Sequence, residues 1–138
     1  MLEFNLFLID YWYFSVPLFF FIFLFAYSEM NKGGKKIEPN ELTRLVNKES
    51  AILIDLRKKE DYENGHIMTA LNYPHQEFDN QMHELEKFKD RPIILVCDMG
   101  RNSANIGEKL KKAEFKKTFR LNGGMMTWTQ ENLPVIQK

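Results

Sequence analysis

Cys97 is the only cysteine of this 138-residue chain, and a polar loop follows it directly. The apolar run Ile93-Ile94-Leu95-Val96 precedes it, and Asp98-Met99-Gly100-Arg101-Asn102-Ser103 comes after it. Gly100 permits a tight turn, in which successive backbone N–H groups can point inward and bind an anion. Arg101 and the dipole of a following helix add positive potential, which favours the thiolate form of a cysteine. The pattern therefore predicts a nucleophilic sulfur held in a loop of backbone donors.

An inert, buried cysteine is the alternative reading of the same position. A lone cysteine after an apolar run usually packs as a small hydrophobic side chain, and free cysteines are among the most buried residues. The loop beside Cys97 favours the chemical role, because a packing cysteine needs no polar, glycine-containing segment with an arginine next to it. A single cysteine also excludes an internal disulfide, which suits a reducing compartment.

Short alternating strands and helices must position this loop. Ile93 to Val96 is too short for a helix and is apolar on both faces, which indicates a strand buried in a parallel sheet. We expect Ser103 to be the N-cap of the helix that follows. Cys97 would then lie at the carboxyl end of a strand, where ligands bind in open α/β sheets.

The rest of the chain predicts more elements of the same two kinds. Further strands are predicted at residues 51–55, 70–74 and 118–121, and helices at 39–47, 58–63, 77–88 and 125–131. Strands that alternate with helices indicate an α/β fold. We therefore expect a central parallel sheet of about five short strands, flanked by helices on both faces.

The N-terminal segment is strongly apolar. Residues 11–27 carry no charge, and eight of the twelve phenylalanines fall within residues 1–27. A bilayer-spanning helix needs about 20 apolar residues. We predict a transmembrane anchor over residues 1–30 that contacts the membrane through residues 4–27, a flexible linker over 31–36, and a globular domain over 37–138. A cleaved signal peptide fits poorly because the segment lacks a basic start, and a core helix would need a larger domain.

Charge distribution predicts the orientation and excludes other partners. No Lys or Arg precedes the predicted span, whereas Lys32, Lys35 and Lys36 follow it. The positive-inside rule then places the C-terminal domain in the cytoplasm, on a single-pass protein of the cytoplasmic membrane. The whole chain has no net charge, which argues against nucleic acid as a partner. Three scattered histidines and one cysteine show no metal-ligand spacing, so we expect neither metal nor cofactor.

Four blocks of the sequence resemble the rhodanese (sulfurtransferase) homology domain, over residues from about 37 to 137. They are Ile54-Asp55-Leu56-Arg57 with Glu60 and Tyr62, Gly65-His66-Ile67 running to Tyr73-Pro74, Val96-Cys97 with its loop into Ser103, and Leu121-Asn122-Gly123-Gly124 with Trp128 and Leu133-Pro134-Val135. Each block alone is weak, but their order and distances together are specific. With the predicted span in front, the architecture is similar to small membrane-anchored rhodaneses of bacteria.

The resemblance implies a sulfurtransferase reaction. Cys97 would take the outer sulfur of a donor such as thiosulfate or a persulfide, and would pass it to a thiol or to cyanide. The backbone N–H groups of residues 98–103, from Asp98 through Met99 and Asn102 to Ser103, would hold the persulfide, and Arg101 would hold the anionic donor. The commonest family loop carries its arginine five residues after the cysteine, whereas Arg101 is four residues after Cys97 and Asn102 takes the usual place.

Asp55, Arg57 and His66 are candidates for either the pocket or the structure that supports it, and the structural role is favoured for all three. A second function also fits the chain: a catalytically silent rhodanese-like scaffold that binds membrane-protein partners. A cysteine phosphatase is disfavoured, because its loop needs arginine where this chain has Ser103. A redox sensor usually needs a resolving cysteine, which the chain lacks.

Overall fold

A computed structural model describes residues 1–30 and 32–137 of the chain. Asn31, which begins the predicted linker, and Lys138, which ends the predicted domain, lie outside the described residues. The chain divides into two units, Met1–Asn31 and Lys32–Lys138.

The N-terminal unit consists of two helices, α1 (Leu2–Asp10) and α2 (Trp12–Met30). The sequence led us to expect one continuous helix across residues 4–27, but the backbone departs from helical geometry at Tyr11, where φ is −114° and ψ is 36°. No side chain of α2 is buried by protein, and Pro17 lies inside it. With 19 residues, α2 is long and apolar enough to be a candidate transmembrane segment.

The second unit is built on a five-stranded sheet. Its strands are β1 (Lys35–Ile37), β2 (Ile52–Asp55), β3 (Leu71–Asn72), β4 (Ile93–Val96) and β5 (Thr118–Leu121). They lie in the order β1-β5-β4-β2-β3, and every pair is parallel. The predicted α/β fold with a parallel sheet is confirmed. Because every strand pair is parallel, all carboxyl ends lie on one edge of the sheet.

Helices cover both faces of this sheet. They are α3 (Pro39–Lys48), α4 (Lys59–Asn64), α5 (Phe78–Gln81), α6 (Arg101–Lys112) and α7 (Gly124–Gln130), with a 3-10 helix at Met82–Phe88. One apolar cluster contains Leu53 and Ile94 together with side chains of α3 and α7, such as Leu42 and Trp128. The neighbouring strand positions, such as Leu95, belong instead to a second cluster. This alternation explains why the strands are apolar on both faces.

The predicted flexible linker over residues 31–36 is partly folded into the sheet domain. Lys35 and Lys36 form β1, and Gly33 and Gly34 before them are buried. A side chain at Gly33 would collide with the backbone of Ala104 in α6, and one at Gly107 of the same helix would collide with the backbone of Gly33. The glycines therefore serve close packing against α6.

Candidate active site

Cys97 is the first residue after β4, at the carboxyl edge of the sheet. Strand β4 lies between β5 and β2 in the sheet, so the segments that follow β5 and β2 lie beside Cys97. Only 2% of Cys97 is exposed, and it belongs to the apolar cluster that contains Leu95 and Ile106. The residue is therefore packed like a core side chain and yet placed where parallel sheets bind their ligands.

The loop after Cys97 folds back over its sulfur. Gly100 has a φ of +92°, in the left-handed region, and its backbone N–H donates to Cys97 Sγ across 2.9 Å. A donor at this distance stabilises negative charge on sulfur. The predicted cradle of backbone donors thus begins with the Gly100 N–H group.

Ser103 is not the N-cap that the sequence led us to expect. Helix α6 begins at Arg101 with Gly100 as its N-cap, so Ser103 lies inside the first turn. There it is fully buried, and its hydroxyl donates to the Gly100 carbonyl oxygen at 2.8 Å. Ser103 holds the turn that carries the Gly100 donor, rather than the start of the helix.

Backbone hydrogen bonds from the start of α7 hold the loop that begins at Cys97. The backbone N–H of Met125 donates to the Cys97 carbonyl oxygen at 2.8 Å, and that of Met126 donates to the Asp98 carbonyl oxygen at 3.0 Å. Gly124, with a φ of +60°, makes this approach feasible, because any side chain there would collide with Cys97 and Asp98. Gly124 therefore allows the backbone at the start of α7 to pass close to the loop.

A polar pocket of about 200 Å³ opens beside the sulfur, and we call it the Cys97 pocket. Its lining consists of residues that follow β2, β3 and β4, namely Leu56, Arg57, Lys58, Asp61, His75, Cys97, Asp98 and Asn102. Asn102 Nδ2 and His75 Nδ1 lie 3.5 Å apart within it. Sequence reasoning missed Lys58, Asp61 and His75. The positions of Lys58 and His75 shortly after predicted strands were the available signal, because those strands share an edge with β4, whereas Asp61 lies in the following helix.

Asp55 and Arg57 form a buried ion pair at the carboxyl edge of the sheet. Asp55 is 1% exposed, and Arg57 Nη2 lies 2.9 Å from its Oδ2. The Arg57 side chain also donates to the Gly65 carbonyl oxygen at 2.6 Å. Arg57 lines the Cys97 pocket, but its charge is balanced by Asp55. The contacts support the structural role that the sequence favoured.

His66 lies away from the Cys97 pocket. It is buried, its ring stacks on Tyr62 with centroids 3.8 Å apart, and its Nδ1 is 2.7 Å from the Tyr62 carbonyl oxygen. Its backbone exchanges two hydrogen bonds with Ile136. These contacts anchor the C-terminal segment, which is a structural task.

Arg101 and Met99 lie on the other side of the loop. Both are exposed, and both line a separate pocket of about 260 Å³ that does not include Cys97. Because this pocket also contains Lys36 and Arg120, we call it the cationic pocket. The structure therefore does not bring Arg101 into the Cys97 pocket, where the sequence led us to expect it to hold a donor.

No group of three or more His, Cys, Asp or Glu side chains within residues 1–30 and 32–137 is arranged to hold a metal ion. The groups at the site can support the chemistry of a sulfur nucleophile that accepts hydrogen bonds from backbone N–H groups.

Known proteins share this domain. A family model described as a rhodanese-like domain matches residues 38–131. The chain is 35% identical over 123 residues to the uncharacterized protein YibN of Escherichia coli (strain K12), which covers 88% of this chain and 86% of YibN. It is 28% identical over 98 residues to the thiosulfate sulfurtransferase GlpE of Shewanella oneidensis, covering 71% of this chain and 95% of GlpE.

A solved structure has the same architecture. The crystal structure of a rhodanese-related protein from Thermoplasma volcanium superposes with a TM-score of 0.68 at 23% identity, and covers 75% of this chain and 99% of that one. At this level of identity, the likeness shows a shared fold.

Proposed function

The chain belongs to the rhodanese-like family, and from this premise we propose that it is a sulfurtransferase that carries sulfane sulfur on Cys97. The observation that carries the proposal is the Gly100 N–H group, which donates to Cys97 Sγ at 2.9 Å beside an open polar pocket. An inert core cysteine needs neither a donor on its sulfur nor a pocket beside it.

The first half-reaction loads sulfur onto Cys97. With thiosulfate as donor, the thiolate forms a bond to the outer sulfur while the bond between the two sulfurs of thiosulfate breaks. Sulfite leaves with the electron pair, and the enzyme keeps a persulfide that bears one negative charge. Charge and electrons balance without a further oxidant or reductant.

The second half-reaction returns the thiolate. A thiolate or cyanide attacks the terminal sulfur of the persulfide, and Cys97 leaves with the electron pair of the broken bond. The backbone N–H groups of the loop serve both steps, because each step places negative charge on sulfur at the same position.

Lys58 is the cation at the mouth of the Cys97 pocket that can attract an anionic donor. Arg57 is neutralised by Asp55, but Lys58 forms no ion pair among the described residues and lines the pocket beside it. The exposed Asp61 and Asp98 carboxylates line the same pocket and oppose anion entry. We therefore assign donor binding to Lys58 and to the loop N–H groups, in place of Arg101.

We also propose that α2 tethers the enzyme to the cytoplasmic face of the cytoplasmic membrane. Support comes from the largely apolar sequence of this 19-residue helix, none of whose residues is buried by protein, and from the lysines that follow it at positions 32, 35 and 36. A membrane-protein partner for the sulfur remains part of this proposal. Fractionation of bacterial cells that express the chain tests it: the protein should stay in the membrane pellet after an alkaline wash, and removal of residues 1–31 should release it.

Intact-mass measurement tests the chemistry. The detergent-solubilised full chain is incubated with thiosulfate and then with cyanide, beside the Cys97→Ser variant. We expect one added sulfur atom on the wild type alone, and its loss as thiocyanate when cyanide is added. Absence of an adduct with both thiosulfate and a persulfide donor would overturn the enzyme proposal and favour the scaffold function.

A further inference from the structure

The cationic pocket brings together three basic side chains that the sulfur chemistry does not use. Lys36 comes from β1, Arg101 from the start of α6, and Arg120 from β5. No carboxylate lines this pocket, and none of the three cations forms an ion pair within residues 1–30 and 32–137. Glu108 and Cys97 are the negative groups that act on Arg120, but neither forms an ion pair with it, so the pocket keeps an excess of like charge that destabilises the fold.

Arg120 makes the strongest case, since it is only 5% exposed. Its Nε donates to the Gly34 carbonyl oxygen at 3.1 Å, but its two terminal nitrogens have no acceptor among the described residues. Burial lowers the pKa of Arg120, while the negative charges of Cys97 and Glu108 act in the opposite direction. A buried guanidinium without a bound carboxylate is costly, and the cost falls when an anion binds to it.

The register of the sheet places a second cation against the first. Lys36 in β1 is paired with Arg120 in β5, so the two side chains emerge from directly opposite positions of neighbouring strands. Like charges at opposed positions repel and weaken strand pairing. Lys36 on the edge strand β1 therefore does not stabilise the pairing with β5. It can, however, hold an anion together with Arg120.

The backbone around the cations suits the same ligand. Gly100 and Gly123 line the pocket, and both have φ in the left-handed region, at +92° and +73°. The Gly100 N–H group already donates to Cys97 Sγ, so the Gly123 turn is the one that can offer N–H groups to a bound anion. The Asn122 side chain is committed elsewhere, since its amide donates to Glu38 Oε1 at 2.8 Å.

We propose that the cationic pocket binds a small divalent oxyanion, the chemistry shared by sulfate, thiosulfate and phosphate. Its volume of about 260 Å³ admits such an ion with some of its water. Cys97 does not line the pocket, although its charge acts on Arg120, so binding of the oxyanion requires no reaction at the sulfur. Both sites share the Gly100 turn, through which a bound anion touches the loop that holds the sulfur.

Titration calorimetry on the detergent-solubilised full chain tests this proposal. The titrations use the Cys97→Ser variant, which cannot form the Cys97 persulfide. A failure to bind oxyanions is therefore measured separately from a failure of the sulfurtransferase reaction. Sulfate, thiosulfate and phosphate are titrated separately at an ionic strength kept constant with chloride. We expect saturable binding of at least one free ion. Heat from anionic phospholipid vesicles but from none of the three free ions would overturn the proposal in favour of a lipid headgroup.

Variants then locate the site. Lys36→Gln and Arg101→Gln change exposed residues and should fold normally, and each should weaken binding by about tenfold, the effect of about 1.4 kcal/mol. Arg120→Gln should weaken it further. Lys112→Gln, at the exposed end of α6, is the matched control and should bind like the parent. Equal affinity in all four variants, or no binding by the parent, would refute the site.

Discussion

Arg57 and Arg120 are both largely buried arginines, and they lie on the two sides of the loop that carries Cys97. Arg57 donates to the carboxylate of Asp55 and to the carbonyl oxygen of Gly65, whereas within residues 1–30 and 32–137 the Arg120 side chain donates to the carbonyl oxygen of Gly34 alone. The first side of the loop has balanced charge, and the second has an excess of cations. Similar residue types in similar burial therefore serve stability on one side and, on our proposal, ligand binding on the other.

Removal of the counter-charge from Arg57 should have the largest effect. Asp55→Ala leaves a buried guanidinium unpaired, and we expect the free energy of unfolding to fall by about 3–5 kcal/mol. Urea titration of the full chain measures it. Asp61→Ala, an exposed acid of the same pocket, is the control and should change stability by less than about 0.5 kcal/mol. Equal effects of the two variants would contradict the structural role of Asp55.

A side chain at Gly107 should have the next largest effect. Gly107→Val forces α6 away from the backbone of Gly33, and overpacking of this kind costs about 1–3 kcal/mol. Because Gly34 supplies the acceptor for Arg120, the same variant should weaken oxyanion binding. Urea titration and calorimetry check the two results. Ala113→Val, at the C-cap of α6 and outside this contact, should leave anion binding unchanged.

The pH dependence of stability tests whether the negative charge of Asp55 acts on Tyr62. Burial, and then the charge of Asp55, raise the pKa of Tyr62 above its usual value. The folded protein keeps this proton at a pH where the unfolded chain loses it, so stability falls as pH rises above about 10. Tyr62→Phe should make this fall shallower. It also removes a hydrogen bond to the Ala70 carbonyl oxygen, so it should cost about 1 kcal/mol near pH 8.

Urea titrations between pH 8 and 11 give the slope for both proteins. Tyr73→Phe is a useful comparison, because burial also raises the pKa of Tyr73 but no contact with Asp55 contributes. A slope unchanged by Tyr62→Phe would show that the phenol titrates alike in both states.

Replacement of Arg120 should have the smallest effect on stability. Without a divalent anion, Arg120→Met removes an unpaired buried charge, and we expect a change below about 1 kcal/mol or a gain in stability. Sulfate at 100 times its dissociation constant should stabilise the parent by about 2.7 kcal/mol and the variant by much less. A loss as large as that of Asp55→Ala, with or without sulfate, would mean that Arg120 is structural after all.

Much of the domain could be predicted from the sequence because its signals are local. Strands β2 and β4 are short, mainly apolar runs, β5 has the alternating pattern Thr-Phe-Arg-Leu, and Cys97 follows β4 directly. Strand β1 could not be predicted in this way, because Lys35-Lys36-Ile37 is polar and its glycine-rich approach is typical of a linker. Its position depends on pairing with β5, more than 80 residues away, which no local pattern reports.

Local sequence also could not predict the role of every residue in the loop after Cys97. A serine near a helix start predicts an N-cap, but the left-handed Gly100 takes that place and Ser103 turns inward. Arg120 sits in Thr-Phe-Arg-Leu, a pattern typical of a strand with one solvent-exposed side chain. Its environment depends on tertiary structure, because its partner Gly34 precedes β1 and the Glu108 charge that acts on it comes from α6.

The close packing of Gly33 against Gly107 has a consequence for how this protein changes over generations. Gly33 lies in the turn before β1 and Gly107 lies in α6: a side chain at Gly107 would collide with the backbone of Gly33, and one at Gly33 would collide with the backbone of Ala104 in the same helix. Both glycines therefore serve one close approach of the turn to α6, and a shift of the turn that admits a side chain at one position relieves the constraint at the other. The family model begins at residue 38 and leaves Gly33 out, so a comparison of sequences that extends upstream should find the two glycines gained and lost as a pair.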